Sequence, residues 1–356
     1  MVLACLRIVG SGCSFDAVEE LTCIPAITVN NFFHRIFCKW GRLVKDMHIH
    51  LPTDETELRH VMGIYERIGL PGCVGSVDCV HLIWDCCRVS LRAECKGKEK
   101  SPSLVFQAVG SHTRRIQALS NYFYGTWNDK TIARLDNGIQ ILREEGSFLK
   151  NIIWHSYRED GTRQEHTGAY YICDGGYHSW ECLMPPFKDQ HNGSDEQLWS
   201  ANVETTRKDI ECIFGSLKKC FLILKHPIRL HKPTQIENMM TTCCVIHNLL
   251  LDYDKIDDWE LELDDEDCNN DEFDMLEYEA NVQASHSINN GNIAGGCHSR
   301  AVYRREYAPA AYSFCPEGMD FSVSSEEKAR FAHRRKCLVE HLKVGLDGHY
   351  LLFHHR

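Results

Sequence analysis

Apolar residues recur at helical spacing through the first part of the chain. Val29, Phe32, Phe33, Ile36 and Phe37 share one face, and Leu58, Val61, Met62 and Tyr65 share another. Thr28 is the candidate N-cap of the first of these helices. The turn-forming run Gly69-Leu-Pro-Gly72 ends the pattern. Beyond it, residues 74–84, 104–110 and 116–124 are short β-prone runs with partial alternation, as expected of neighbouring strands with one face buried. Residues 169–173 form another such run, which leads directly into Asp174-Gly-Gly176. Helical spacing returns over residues 199–224, where Val203, Ile210, Phe214, Leu217 and Phe221 make one apolar stripe. Residues 237–251 read as a further apolar helix and residues 324–342 as a basic one, carrying Lys328, Arg330, Arg334, Arg335 and Lys336.

Consecutive strands followed by a strand and a helix predict an α/β core, not a helix bundle. The expected organisation is a helical arm over residues 1–70, a core over 71–252, an acidic and low-complexity linker over 253–300, and a basic tail over 301–356.

Charge sharpens this division. The net charge of −11 argues against a nucleic-acid partner until its distribution is considered. Residues 252–279 hold fifteen Asp/Glu and one Lys, so the rest of the chain is mildly basic. An apolar share of 43% fits a globular chain and excludes general disorder. The 19 cysteines are odd in number and scattered, which predicts a reduced, intracellular protein with buried thiols, not a disulfide framework. The N-terminus does not read as a signal peptide. No apolar run approaches the ~18–20 residues of a membrane span.

Three carboxylates carry the candidate chemistry. Asp78 interrupts an apolar strand, where an unpaired charge is costly. Asp174 ends a strand ahead of two glycines that permit close approach of backbone or ligand. Glu211 follows Ile210 at the edge of the apolar stripe, in a polar row with Glu204, Lys208, Gly215 and Lys218. Acids on two strands and a helix edge can converge in a cleft and hold hard cations. Taken singly, each also fits a turn, a salt bridge or a solvated helix face.

Several blocks in order narrow the choice: Gly72-Cys-Val-Gly-Ser-Val-Asp-Cys-Val-His81, Lys96-Gly-Lys-Glu-Lys100, Gly125-Thr-Trp-Asn-Asp129, Tyr170-Tyr-Ile-Cys-Asp-Gly-Gly-Tyr177, Arg207-Lys-Asp-Ile-Glu-Cys-Ile-Phe-Gly-Ser-Leu-Lys218 and Cys243-Cys-Val-Ile-His-Asn248. Over about residues 70–252 the chain resembles the PIF/Harbinger transposases. The resemblance implies an RNase H-like mixed sheet flanked by helices. It also implies a DDE endonuclease in which Asp78, Asp174 and Glu211 are catalytic and hold two divalent ions, Mg²⁺ or Mn²⁺. Its substrate would be double-stranded DNA, at transposon ends and target, in the nucleus, with a separately encoded DNA-binding protein as partner. A domesticated protein that keeps the fold but binds DNA or protein without cutting is the alternative.

Lys98 and Lys100, in a glycine-containing basic loop, either contact phosphate or face solvent, and Lys218 either reaches DNA or ends the polar row. Asp129 reads as a loop-shaping residue in preference to a fourth ligand, and Asp209 points away from the Glu211 face. His81 reads as packed or hydrogen-bonded. Cys243, Cys244 and His247 have helical spacing, but their apolar neighbours favour a core helix over zinc. The segment 25–37 is weak as a DNA-reading helix, because its phenylalanines suit packing.

Overall fold

The computed structural model describes residues 1–188, 191–254 and 323–347. The described residues belong to one compact unit. The acidic block beyond residue 254 and the low-complexity stretch that follows lie outside the described residues.

The arm comprises α1 (Val2–Ser11), α2 (Phe15–Thr22), α3 (Ala26–Phe32), a π-helical turn at Phe33–Phe37 and α4 (Cys38–Leu43). Thr28 does not cap α3, which starts earlier: Pro25 stands at the N-cap position with φ −52°. Glu19 on α2 accepts the Ala26 N–H at 2.9 Å, so the first helical donor is satisfied from a neighbouring helix. Phe33 and Phe37 are buried, in keeping with packing. Later in the arm, α5 (Glu55–Arg67) starts where Asp54 accepts the N–H groups of Thr56 and Glu57.

The strands are β1 (Cys73–Ile83), β2 (Ser103–Gly110), β3 (Ile116–Leu119), β4 (Phe123–Tyr124), β5 (Ile153–Tyr157), β6 (Arg163–Thr167), β7 (Tyr170–Ile172) and β8 (Leu183–Met184). The main sheet has the order β3-β2-β1-β7-β8, with β4 also paired to β2. The β1–β2 and β2–β3 pairs are antiparallel. The β1–β7 and β7–β8 pairs are parallel. This is a mixed sheet flanked by helices, an α/β fold as expected. The β5–β6 hairpin stands apart as a two-stranded sheet.

The main helices after the arm's are α6 (Asp129–Leu135), the long α7 (Asp195–Cys220), α8 (Pro233–Asp254) and α9 (Ser325–Asp347). The stripe Val203, Ile210, Phe214 and Leu217 is buried on α7, as is Phe221 just past its end. Gly110 lets α7 approach the sheet closely, since a Cβ there would sit 2.3 Å from the Ile213 side chain. Helix α8 is threaded through the core. Asn248 accepts the Ile116 N–H at 3.0 Å and donates to the carbonyls of Ile116 and His48, both at 2.7 Å, tying β3 to the arm. Cys243 and Cys244 are fully buried and His247 meets the Arg114 carbonyl, so the trio belongs to the core. Helix α9 packs its arginines inward: Arg334, 4% exposed, donates to Glu181, and Arg335 stacks 3.3 Å above the Phe187 ring.

Beneath β1 lies a buried polar layer. Tyr177 donates to Gln107 Oε1 at 3.1 Å, and Gln107 Nε2 donates to the Asp136 carboxylate. Asp136 also accepts the Gly138 N–H at 3.3 Å. Burial pushes its pKa up to about 6, against the opposing pull of Gln107, Gly138 and Lys45.

Two outcomes follow for stability. At Gly41, a Cβ would lie 2.7 Å from the Thr242 Cα, where backbone must move. At Gly63 nothing lies within 4 Å. Gly41→Ala is expected to lower the urea midpoint by the equivalent of about 1–3 kcal/mol, the scale of overpacking. Gly63→Ala should raise it by up to about 1 kcal/mol through helix propensity. Equal midpoints for the two variants would contradict this packing. For Asp136, the raised folded pKa means that its contribution is fully present below about pH 4 and is lost as pH rises through about 6. Relative to Asp136→Asn, the wild type should therefore lose stability across that window, by at most roughly 3 kcal/mol at about 1.4 kcal/mol per pKa unit. A difference that stays flat with pH would show that this carboxyl is not held neutral.

Candidate active site

Strand pairing sets the first two acids side by side. Ser76 on β1 faces Ile172 on the parallel strand β7. Two residues further along each strand direction stand Asp78 and Asp174. The alternation of β1 turns Cys79 to the opposite face, where its thiol meets Gln107 and Tyr177. Asp78 is thus fixed from behind.

Asp78 Oδ1 accepts the Cys79 N–H at 2.8 Å, and Oδ2 receives Arg207 Nη1 at 3.1 Å. Burial raises the Asp78 pKa to about 6, and the negative charges of Asp174 and Asp129 add to that rise, against the Cys79 N–H and Arg207. Arg207 lies one turn before Glu211 on α7, and its Nη2 reaches Glu211 Oε1 at 2.8 Å. The guanidinium therefore bridges Asp78 and Glu211, the acids from the strand and the helix.

Asp174 is shaped by the glycines after it. Its Oδ1 accepts the Gly176 N–H at 2.7 Å. A Cβ on Gly176 would stand 2.9 Å from Asp174 Oδ1 and 3.1 Å from Asp129 Oδ2. Both carboxylate oxygens thus approach one point that only glycine leaves open. Asp129 was read as a loop-former, but that work falls to Asn128, which caps α6 by accepting the Thr131 N–H at 2.9 Å. Asp129 joins the acids instead, and Lys98 Nζ lies 3.6 Å from its Oδ2.

The donor set suits a hard divalent cation. The oxygens belong to carboxylates, those of Asp78, Asp129 and Asp174 are partly buried, and two of them face the Gly176 cradle. As the side chains stand, no group of three or more His, Cys, Asp or Glu among the described residues is gathered tightly enough to ligate an ion. The bridging Arg207 is the physical reason at one side, because a cation already occupies the gap between Asp78 and Glu211.

The remaining residues singled out in the sequence scatter. Lys100 is exposed, with φ +58°. Lys218 Nζ lies 3.5 Å from the His81 carbonyl. His81 Nδ1 meets Ser103 Oγ at 3.2 Å, and burial lowers its pKa. Asp209 pairs with His112, away from the acids. Sequence reasoning missed Arg207 and the Tyr177–Gln107 support, and it ranked Asp129 as loop-shaping ahead of a ligand. Only the i, i+4 spacing of Arg207 and Glu211 offered a signal for any of them.

No helix among the described residues is long and apolar enough to cross a membrane. No solved structure matches the chain. Protein Antagonist of Like Heterochromatin Protein 1 from Arabidopsis thaliana is 23% identical over 212 residues, 58% of this chain and 50% of that protein. The chain thus spans about half the length of this curated relative. The sequence model of the family described as plant transposon protein matches residues 46–258, which takes in β1, β7, α7 and every acid of the site. On that match, covering more than half of its length, the chain belongs to the plant transposon protein family.

Proposed function

We propose that this chain is a metal-dependent DNA endonuclease of the PIF/Harbinger type, with an RNase H-like core and Asp78, Asp174 and Glu211 as its catalytic carboxylates. One observation carries the reading: acids from β1, the end of β7 and the start of α6 crowd one another, and Glu211 is linked to them through Arg207. Burying like charges together is unfavourable unless a cation joins them. An antiparallel β1–β2–β3 meander with β7 and β8 parallel to β1 supports the fold assignment.

In this reading Asp78, Asp174 and Glu211 hold two Mg²⁺ or Mn²⁺ ions, with Asp129 beside them. The chemistry such ions supply is activation of a water or a DNA 3′-hydroxyl and clamping of the attacking and leaving oxygens of a phosphodiester. The chain's own residues do the positioning. The Gly176 N–H orients Asp174, and the Cys79 N–H orients Asp78. Lys98 neutralises Asp129 at the mouth, and Lys98, Lys100 and Lys218 supply positive charge to the DNA backbone. The substrate is double-stranded DNA at transposon ends and target, met in the nucleus with a separate DNA-binding protein.

A second reading rests on the Arabidopsis relative, whose name describes an antagonist of a heterochromatin protein. In it, the chain is a transposase-derived protein that binds a chromatin protein or DNA and cuts nothing.

Incubating the purified full chain with supercoiled plasmid and Mn²⁺ or Mg²⁺ separates the two. The nuclease reading expects nicking that EDTA abolishes. It also expects a fall of about 100-fold or more in Asp78→Asn and Asp174→Asn, beyond what loss of an outer partner costs. Nicking that survives both substitutions would place the activity elsewhere, and DNA binding without any nicking would favour the second reading.

A further inference from the structure

Arg207 places a positive charge inside a site otherwise made of acids, and its surroundings explain why it does not simply decorate the helix. Its side chain is 18% exposed, whereas that of Glu211 is 50% exposed, so the guanidinium lies inward of the carboxylate that it holds. The two ends of the fork are divided, one on Asp78 and one on Glu211. Its Nε is buried with no hydrogen-bond partner, so the two carboxylates anchor the group. By contrast, Asp174 and Asp129 lie across the Gly176 cradle, and the cation beside Asp129, Lys98, is 75% exposed. The cluster therefore has two unlike sides. One is formed by Asp174 and Asp129 at the Gly176 cradle; the other, between Asp78 and Glu211, is closed by a guanidinium.

We propose that Arg207 is a gate on the second cation position: it holds Asp78 and Glu211 closed until a DNA backbone phosphate draws the guanidinium away. This rests on the nuclease reading above and adds its regulation. A divalent ion and a guanidinium cannot share the gap between the same two carboxylates, because their like charges repel at that separation. Phosphate is the ligand suited to remove Arg207, since its oxygens accept the same planar fork that a carboxylate does. Loading of the second position is then coupled to substrate, and a chain without DNA carries an incomplete site. Arg207 is a positioning residue here, acting through Asp78 and Glu211.

Mn²⁺ titration of the full chain by calorimetry, followed by spin-resonance counting of bound ions, tests the gate. Wild type is expected to bind one ion clearly more tightly than a second. Arg207→Gln should tighten the second ion by about tenfold or more, the scale on which neighbouring groups tune metal affinity, and leave the first little changed. Arg207→Lys, which keeps a cation, should retain the weak second position. A short DNA duplex should strengthen the second ion in wild type but add little in Arg207→Gln. Circular dichroism checks that each variant is folded. Identical Mn²⁺ isotherms for folded wild type and Arg207→Gln would overturn the gate, as would a variant that weakens both ions. Asp78→Asn keeps the two ideas apart. If it loses Mn²⁺ while Arg207→Gln matches wild type, only the gate fails; if it binds Mn²⁺ as wild type does, or if none of the proteins binds the ion, the metal site itself fails and the gate with it.

Discussion

Burial of one carboxylate beside two others is the constraint on which the site depends. Asp78 is partly buried, its pKa is driven up to about 6, and Asp174 and Asp129 contribute to that rise. Each acid comes from a different element, so no local turn or helix brings them together. The meeting depends on sheet register and on two close approaches. Parallel pairing of β1 with β7 sets Asp78 beside Asp174. Gly176 leaves the space into which Asp174 and Asp129 point, and Gly110 lets the helix bearing Arg207 and Glu211 lie close over β2. A side chain at either glycine would displace a functional group as well as a packing contact.

Rigidity behind the site has its own source. The Cys79 thiol, Tyr177 hydroxyl, Gln107 amide and Asp136 carboxyl form a connected buried layer on the far face of β1. Such layers specify one arrangement when every member is satisfied. This one ties the turn after Asp174 to the strand carrying Asp78, so both acids share one foundation. Asn248 does the same on a larger scale, joining α8 to β3 and to the His48 carbonyl by three hydrogen bonds.

How much of this the sequence disclosed varies with the range of the interactions. The apolar stripe of α7 and the β-prone runs of β1, β2 and β7 were legible because burial of one face leaves a periodic trace. The run at 116–124 reads as one strand but divides into β3 and β4, since both pair with β2. The β5–β6 hairpin left little trace because residues such as Arg163, Gln164 and Glu165 are polar, and its partner is α9 from the far end of the chain. The basic pattern of α9 was legible, but not that Arg334 is anchored on Glu181, about 150 residues earlier in the chain. Asp129 was obscured by Asn128, as either residue can cap a helix and only the geometry shows which does. Asp78, Asp174 and Glu211 stood out individually, while the cation between two of them did not, because Arg207 beside Glu211 looks like an ordinary helix-surface pair.

That bridging cation bears on the choice between a nuclease and a protein that merely binds. Replacing Asp174 or Asp129 with asparagine would keep side-chain shape and hydrogen-bonding capacity while removing a negative charge from a partly buried cluster. That change would relieve only the smaller part of the Asp78 shift, since burial is its main cause and the charges of Asp174 and Asp129 add to it. Arg207 offsets part of the repulsion, but it engages Asp78 and Glu211, while the exposed Lys98 pairs with Asp129. The chain therefore maintains an excess of negative charge at the point where the Gly176 cradle is open. In the nuclease reading, that negative charge would draw a divalent cation to the cradle.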